Sequence, residues 1–357
     1  MSQPTGTLDR YDLNGDGDMV KEDFAETIHN ISPTDTPFQS NIGRGKAYSD
    51  LHEWAADALA AAAANAHIDG DDFSGDTLLP GNRLSNYCQI SKKDIVVTRR
   101  ANIVRKLGRK QELSYQLAKA GKELKRDVEF TLLSNQAARA GNATLAPTMA
   151  GLAAWIGAFD DTTNYELDTG YVNRGALGAD GSLTGTSDQS GYPDAAATDG
   201  TVRALTEDGF LSVVKACYIN GATPTMAVCG PTVKQLFSKY MFGSSARIAT
   251  PYQDHGKARD GVGVVGAVDV YVSDFGVIDL VPDRFCRQVL SDYVDMFIID
   301  PEYLEVSYLD GYKTETIAKT GDSEKRQILV DYTLTVKNPV AHGLFTDIDD
   351  DTAMTAS

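Results

Sequence analysis

The sequence has no hydrophobic run long enough to span a membrane. Its longest apolar stretch, residues 55–66, is mostly alanine and includes Asp57 and Asn65, whereas a membrane-spanning helix needs about 20 apolar residues. The chain also lacks a signal peptide, in which a basic segment precedes an apolar one. We therefore expect a protein that is made and kept in a cytoplasm and has no membrane partner.

Cysteine is scarce as well, and no two cysteines form a CxxC pair. This spacing predicts buried, reduced thiols rather than disulfides or a metal cage. The five histidines are far apart, none of them lies in an HExxH motif, and the chain has no GxSxG nucleophile motif. Zinc-dependent and serine-dependent hydrolysis therefore have no basis in the sequence, and we expect no enzyme.

Two glycine-rich stretches resemble nucleotide-binding loops without the context those loops need. Gly261, Gly263 and Gly266 have the GxGxxG spacing, but that motif holds a pyrophosphate only between a strand and a helix N-terminus. Here polar residues precede the glycines and a strand pattern follows them. Residues 42–47 resemble the end of a phosphate loop but lack its first glycine and its Ser or Thr. We predict that no cofactor is required.

Positive charge is in short supply everywhere except in one segment. The net charge of −17 argues against general affinity for duplex DNA, since Lys and Arg clusters carry phosphate binding. Yet residues 92–126 contain twelve Lys and Arg against three acids. Apolar residues recur every three or four positions from Leu113 to Leu132, which predicts a long amphipathic helix within 106–139. We expect its basic face to contact acidic protein surfaces rather than nucleic acid.

The remaining segments differ in composition. Residues 1–45 are polar and favour an extended arm over a core, and 46–104 has the pattern of a long hairpin that cannot bury both its faces on its own chain. Residues 160–202, rich in Gly, Asp, Ser, Thr and Asn, predict a surface insertion. Helices are predicted at 210–220 and 232–241. Strands are predicted at 222–228, 268–273, 296–299, 306–309 and 328–336, which makes the fold class α+β.

The arm contains a partial calcium-binding motif. Residues 12–18 match the opening of an EF-hand loop, including the glycine at loop position 6. The twelfth position is Asp23 where a bidentate Glu is expected, and an acidic turn before a short helix at 21–30 is at least as good an interpretation. The candidate calcium ligands are Asp12, Asn14, Asp16, Asp18 and Asp23.

Several stretches resemble one known family in the order in which they occur. Five stretches resemble the arm, the hairpin, the long spine helix and the segment that follows this helix in that family: 36–38, 42–47, 52–57, 108–127 and 151–155. Those similar to its peripheral sheet and flanking turns are 270–276, 300–303 and 318–326. The family is the major capsid protein of tailed bacteriophages, of the Hong Kong 97 type, and the resemblance covers nearly the whole chain.

The resemblance implies a division of the α+β chain into parts. These are an N-terminal arm (1–45), an extended loop formed by the long hairpin (46–105), a peripheral domain with the spine helix (106–157), a surface insertion (158–205), an axial domain (206–281), and a peripheral-domain sheet with the C-terminus (282–357). The expected subunit interface residues are Trp54, Phe73, Arg99, Arg100, Arg105, Arg109 and Lys110.

The resemblance also implies a function. The chain would assemble in the cytoplasm of a bacterial host, as hexamers and pentamers, into the icosahedral head of a virion around double-stranded DNA that it does not bind sequence-specifically. A portal and scaffolding or decoration proteins would be its other partners. The alternative is the shell of an encapsulin-like nanocompartment, which has the same fold.

Overall fold

The structure is a computed structural model that describes residues 31–57, 59, 64–70, 81–104, 111–159, 172–184, 190–243, 268–287, 293–349 and 351–356. Its helices are α1 (Pro37–Asn41), α2 (Arg99–Ile103), α3 (Glu112–Leu133), α4 (Leu152–Ala158), α5 (Glu207–Ile219) and α6 (Pro231–Gly243). Its strands are β1 (Gly43–Lys46), β2 (Leu51–Ala56), β3 (Asn82–Tyr87), β4 (Gln89–Thr98), β5 (Val172–Asn173), β6 (Ser182–Leu183), β7 (Pro193–Ala195), β8 (Met226–Cys229), β9 (Val270–Ser273), β10 (Gly276–Pro282), β11 (Val294–Ile299), β12 (Leu304–Ile317), β13 (Ser323–Val336) and β14 (Gly343–Ile348).

A four-stranded sheet in the order β1-β12-β13-β4 packs against the long helix α3. The strands β12, β13 and β4 are antiparallel, and β1 runs parallel to β12. Alternate residues of β4 and β13 are buried in the same hydrophobic cluster as the helix. They are Ile95, Val97, Ile328 and Val330 from the strands and Ala120, Leu124, Val128 and Leu132 from the helix. The predicted apolar stripe of the helix is therefore confirmed.

The helix α3 is shorter than the sequence predicted. It has 22 residues, which makes it about 33 Å long at 1.5 Å per residue. It ends because Ser134 is extended and its hydroxyl donates to the Thr131 carbonyl at 2.7 Å. The next side chain, Asn135, donates to the Ala197 carbonyl at 2.7 Å. Residues 105–110, where the sequence placed the start of the helix, lie outside the described residues.

A six-stranded sheet in the order β5-β14-β11-β8-β10-β9 forms the second large element. The strands β8, β11 and β14 are buried along their whole length. The helices α5 and α6 share a core with this sheet, in which the Phe210 ring lies 5.3 Å from Phe237 and 5.4 Å from Tyr271. Thr206 caps α5 by accepting the Gly209 N–H at 3.1 Å, and Pro231 begins α6, close to the predicted starts.

The structure adds detail to three of these expectations. The strands β11 and β14 belong to the six-stranded sheet, although the sequence assigned 282–357 to the peripheral-domain sheet and the C-terminus, because sequence alone does not reveal which strands pair. The described part of 158–205 is more than a surface insertion, since Val172 is buried and pairs with Leu344. The segment 36–45 is not simply an extended arm, because Phe38 begins a short helix and is fully buried.

The four cysteines are free and buried, as the sequence predicted. Burial raises the pKa of the Cys88, Cys217 and Cys229 thiols to about 12. They therefore stay protonated at neutral pH, where a thiol is a poor nucleophile and a poor metal ligand.

Over the described ranges, no helix is both long enough and apolar enough to cross a membrane.

Candidate assembly surfaces

The basic face of α3 lies beside the point where the N-terminal segment enters the described structure. Ser32, Pro33 and Thr34 line a cavity of about 330 Å³ together with the helix residues Tyr115, Ala118, Lys119, Lys122, Glu123 and Arg126. The preceding segment, residues 1–30, contains seven acids and two bases, a formal charge of −5. The sequence that leads into this cavity is therefore acidic, and the described helix face that lines the cavity is basic.

The predicted interface residue Trp54 lies at the foot of the hairpin formed by β2 and β3. Its indole N–H donates to the Val336 carbonyl at 2.9 Å, and its ring lies 5.5 Å from the ring of Trp155. On the facing strand, the buried Asn86 amide accepts the Ala150 N–H and donates to the Leu334 carbonyl, both at 2.8 Å. The foot of the hairpin is thus fixed to its own subunit, and Trp54 helps to anchor the hairpin.

The other predicted interface residues are only partly covered by the structure. Arg99 begins α2, where its Nε lies 2.7 Å from Asp322 Oδ1, so this exposed arginine is paired within its own chain. Arg100 follows it on the same helix and is exposed. The remaining residues lie outside the described ranges, and their role stays a prediction: Phe73, Arg105, Arg109 and Lys110.

The two large sheets differ in how they treat their open edges. The strand β1 pairs with β12 only as far as Tyr308, so within the described residues the outer edge of β12 has no strand beside it from Asp310 onwards. That edge carries charge, since Lys313 Nζ forms ion pairs with Asp310 and with Glu315. Charged edges discourage further strand pairing. This edge is therefore protected against association.

The strand β9, at one edge of the six-stranded sheet, is exposed without such charges. Val270 and Val272 are exposed on one face of this strand, and Val272 lies directly opposite the exposed Val277 of β10. Val272 is 74% exposed. We call these three residues the valine patch. An edge strand that exposes valines is a typical protein-contact surface, because soluble proteins usually protect such edges with charge.

An ionic cluster at the protein surface, which includes the buried Asp295, fixes the end of the 158–205 segment to the six-stranded sheet. The Arg287 guanidinium binds both carboxylate oxygens of Asp199, at 2.7 and 2.5 Å, and lies 3.6 Å from Asp295 of β11. Burial raises the pKa of Asp295 to about 7, and Arg287 opposes this shift. The bidentate geometry favours a structural role.

The structure offers no test of the predicted calcium site. The ligand candidates Asp12, Asn14, Asp16, Asp18 and Asp23 all precede residue 31 and lie outside the described residues. Within the part of the chain that the structure describes, no group of three or more His, Cys, Asp or Glu side chains could hold a metal ion.

Comparison with known proteins identifies the family of proteins to which these surfaces belong. Its sequence matches the family described as the SU10 major capsid protein over residues 3–349. The chain belongs to the SU10 major capsid protein family. A second comparison finds the major capsid protein of Escherichia phage Phieco32, which is 41% identical over 138 residues. That match covers 38% of this chain and 38% of the phage protein.

Solved structures show that this capsid-family chain has the Hong Kong 97 type of fold. The capsid of a native GTA particle matches with a TM-score of 0.59 and 11% identity, over 95% of this chain and 99% of that one. The protein of Mycobacterium phage Bobi matches with a TM-score of 0.57 and 8% identity, over 96% and 99%. The holo-SrpI encapsulin complex from Synechococcus elongatus matches with 0.54 and 8%, over 97% and 98%. Identities this low show the fold alone.

Sequence reasoning about this capsid-family chain missed two groups of residues. The valine patch has the same alternation as any half-buried strand, so the sequence could not reveal which face stays uncovered. Glu129 lies near the C-terminal end of α3 and is fully buried. Its position beside Val128, within the buried stripe, was an available signal, because an acid is rarely buried without a specific partner.

Proposed function

We propose that this chain is the structural subunit of a phage head, which assembles from hexamers and pentamers into an icosahedral shell around double-stranded DNA. The match to the SU10 major capsid protein family over residues 3–349 carries this proposal. The subunit acts by position rather than by catalysis. Assembly takes place in the cytoplasm of a bacterial host, the finished shell is part of the virion, and a portal with scaffolding or decoration proteins completes it.

Many weak contacts are sufficient for such a shell, because each subunit engages several neighbours and the contacts reinforce one another. The valine patch and the basic face of α3 are the contact surfaces that the described residues favour. In the domain terms of the family, the segment around α3 serves as the peripheral domain and 206–281 as the main part of the axial domain. An acidic subunit, at −17, suits a wall along which packaged DNA moves without sticking.

Electron microscopy of the purified full-length protein tests the proposal. We expect closed particles of uniform size, and particles from infected cells should contain DNA that is protected from nuclease. The encapsulin alternative is favoured by the likeness to the SrpI structure, and it predicts closed shells that contain protein cargo and no genome. Small discrete oligomers would contradict both functions.

The basic residues before α3 offer a more specific test. Changing Arg109 and Lys110 together to Glu should leave the subunit folded and impair assembly, because it reverses two charges at the near end of a surface that we expect to contact an acidic segment. Circular dichroism checks the fold and electron microscopy counts the shells. The control is Lys239→Glu and Lys215→Glu, which alters charge by the same amount on α6 and α5. Normal shells from the first variant would refute this contact.

Calcium binding by the arm stays a proposal and has its own test. We expect added calcium to raise the thermal stability of the shell, since a partial EF-hand loop gains order when oxygen ligands bind the ion. The variant Asp12→Ala with Asp16→Ala should lose that response. Magnesium at the same concentration is the control. An unchanged melting temperature of the unmutated shell in calcium would remove the site.

A further inference from the structure

One buried acid connects the N-terminal segment to the long helix. The carboxylate of Glu129, near the C-terminal end of α3, accepts the backbone N–H groups of Phe38 at 2.7 Å and Gln39 at 2.9 Å. These N–H groups belong to the first turn of α1, whose own preceding residue, Thr36, makes no side-chain cap. Glu129 therefore supplies from another helix the cap that α1 lacks.

A second buried acid, Asp283, lies within hydrogen-bonding reach of the Glu129 carboxyl. Asp283 follows β10 and is 1% exposed, and its Oδ1 accepts the Phe285 N–H at 2.8 Å. Among the described residues, no N–H or O–H donates to its Oδ2. Two adjacent carboxylates that are both removed from water repel each other strongly, and a site of this kind normally keeps one proton. A proton between Glu129 and Asp283 removes the repulsion and gives Oδ2 a donor.

We propose that Glu129 and Asp283 share one proton and form a latch that holds α1 against α3 while the proton is bound and loosens α1 when it is lost. The latch determines how firmly residues 37–41 are fixed, and these residues lead back to the acidic segment 1–30. It acts within one subunit, so it neither requires nor tests shell formation.

The groups around the two carboxyls come from several elements. The neighbouring groups with a raised pKa of about 12 do not titrate between pH 4.5 and 8. Burial raises the pKa of Glu129 to about 8, the N–H groups of Gln39 and Phe38 lower it, and the charge of Asp283 raises it. Burial raises the pKa of Tyr312 on β12 and of Cys229 on β8 to about 12. The other facing or neighbouring groups are Tyr308 on β12, Cys286 and Arg284 beside Asp283, Arg126 and Lys125 on α3, and Arg44 on β1.

The direction of the pH dependence follows from the raised pKa. The folded site keeps a proton that Glu129 in an unfolded chain would release near its ordinary value of 4.5. The folded state therefore binds more protons between that value and about 8, so the contribution of the latch falls as pH rises through this window. The latch therefore holds α1 most firmly in acidic solution and least firmly above about pH 8.

Hydrogen exchange of the purified full-length protein tests the latch. The protection of residues 36–42, corrected for the intrinsic effect of pH, should fall about tenfold or more between pH 6.5 and pH 9, since local opening sets amide protection. Residues 226–229 of β8 serve as an internal reference that keeps its protection, since this buried strand has no group that titrates between these pH values. In Asp283→Asn the amide donates to the Glu129 carboxylate and no second charge repels it, so the loss of protection at 36–42 should be several-fold smaller than in the unmutated protein.

Two further variants complete the test. Asp295→Asn removes another buried acid that is not part of the latch, and it should retain the pH response of the unmutated protein. If Asp283→Asn does not fold, Glu129→Gln replaces it and should show little pH response, since the glutamine amide cannot lose a proton. The latch is overturned if unmutated protein keeps its protection at pH 9, if the variant of the pair loses as much protection as the unmutated protein, or if Asp295→Asn abolishes the response.

Discussion

The four-stranded and the six-stranded sheets of this protein differ in how much of their surface is buried. Three central strands of the six-stranded sheet are buried on both faces. In the four-stranded sheet, β4 alternates between buried and exposed residues, and Val96 is 60% exposed on the face away from α3. The difference indicates that one sheet carries much of the stability of the subunit, whereas the other carries surface that is available to neighbours.

The two sheets do not divide simply into core and surface. At one edge of each sheet, the side chains are of the kind that its overall burial would not suggest. The open edge of β12 is protected by the ion pairs of Lys313, although its sheet is the more exposed. The edge at β9 exposes the valine patch, although its sheet is the more buried. We infer that contacts between subunits use the apolar edge of the stable sheet and the basic helix face beside the exposed sheet.

The largest effect on the free energy of unfolding is expected from a cavity in the buried sheet. Phe297 on β11 is fully buried, and Phe297→Ala should lower the free energy of unfolding by about 3–5 kcal/mol. The matched change Val96→Ala, on the exposed face of β4, should alter it by less than about 1 kcal/mol. Urea denaturation of both variants measures the contrast. Equal losses would contradict the assignment of stability to the six-stranded sheet.

A second effect should appear at the junction where the chain passes from β13 to β14. His342 is fully buried there, its Nδ1 accepts the Asp300 N–H at 3.4 Å, and burial lowers its pKa to about 3. The unfolded state therefore binds more protons below pH 6.5, and stability falls as the solution becomes acidic. When the pH is lowered from 7 to 4.5, the free energy of unfolding of the unmutated protein should fall by about 2–3 kcal/mol more than that of His342→Phe.

Chemical denaturation at the two pH values checks this prediction. The response has the opposite sign to that of the Glu129 latch, so the two sites can be told apart in one pH series. Parallel losses in the unmutated protein and in His342→Phe would show that this histidine does not contribute.

The smallest effect on the subunit, and a large one on assembly, is expected at the valine patch. Val272→Thr with Val277→Thr keeps the side-chain shape and the preference for strands, so the free energy of unfolding should change by less than about 1 kcal/mol. Light scattering should nevertheless show slower or incomplete assembly, because each polar replacement weakens the same contact in every copy. Leu145→Thr, which removes an exposed leucine from a loop, is the control. Unimpaired assembly of the double variant would exclude the patch as a contact.

The sequence was sufficient for the elements with a strong period or cap. The stripe from Leu113 to Leu132, Thr206 before α5 and Pro231 at the start of α6 are local signals, and each helix lies near its predicted place. The resemblance to the Hong Kong 97 type likewise rested on local stretches in a fixed order, and the family match bears it out. These features depend on residues close together in the chain.

The features that the sequence could not predict depend on distant residues. The pairing of Met296 with Cys229 places β11 in the six-stranded sheet, and nothing in either strand encodes its partner. The burial of Glu129 depends on Phe38 and Gln39, which are about ninety positions away. The free face of β9 depends on where the covering elements end. Such properties arise only when the chain has folded.

The most direct test of this account is a residue-resolution electron-microscopy reconstruction of the particle formed by the full-length protein. We predict a closed shell in which the valine patch and the basic face of α3 are covered by neighbouring copies, while the charged edge of β12 stays unpaired. A closed shell in which both predicted surfaces face solvent, or the absence of any shell, would contradict it.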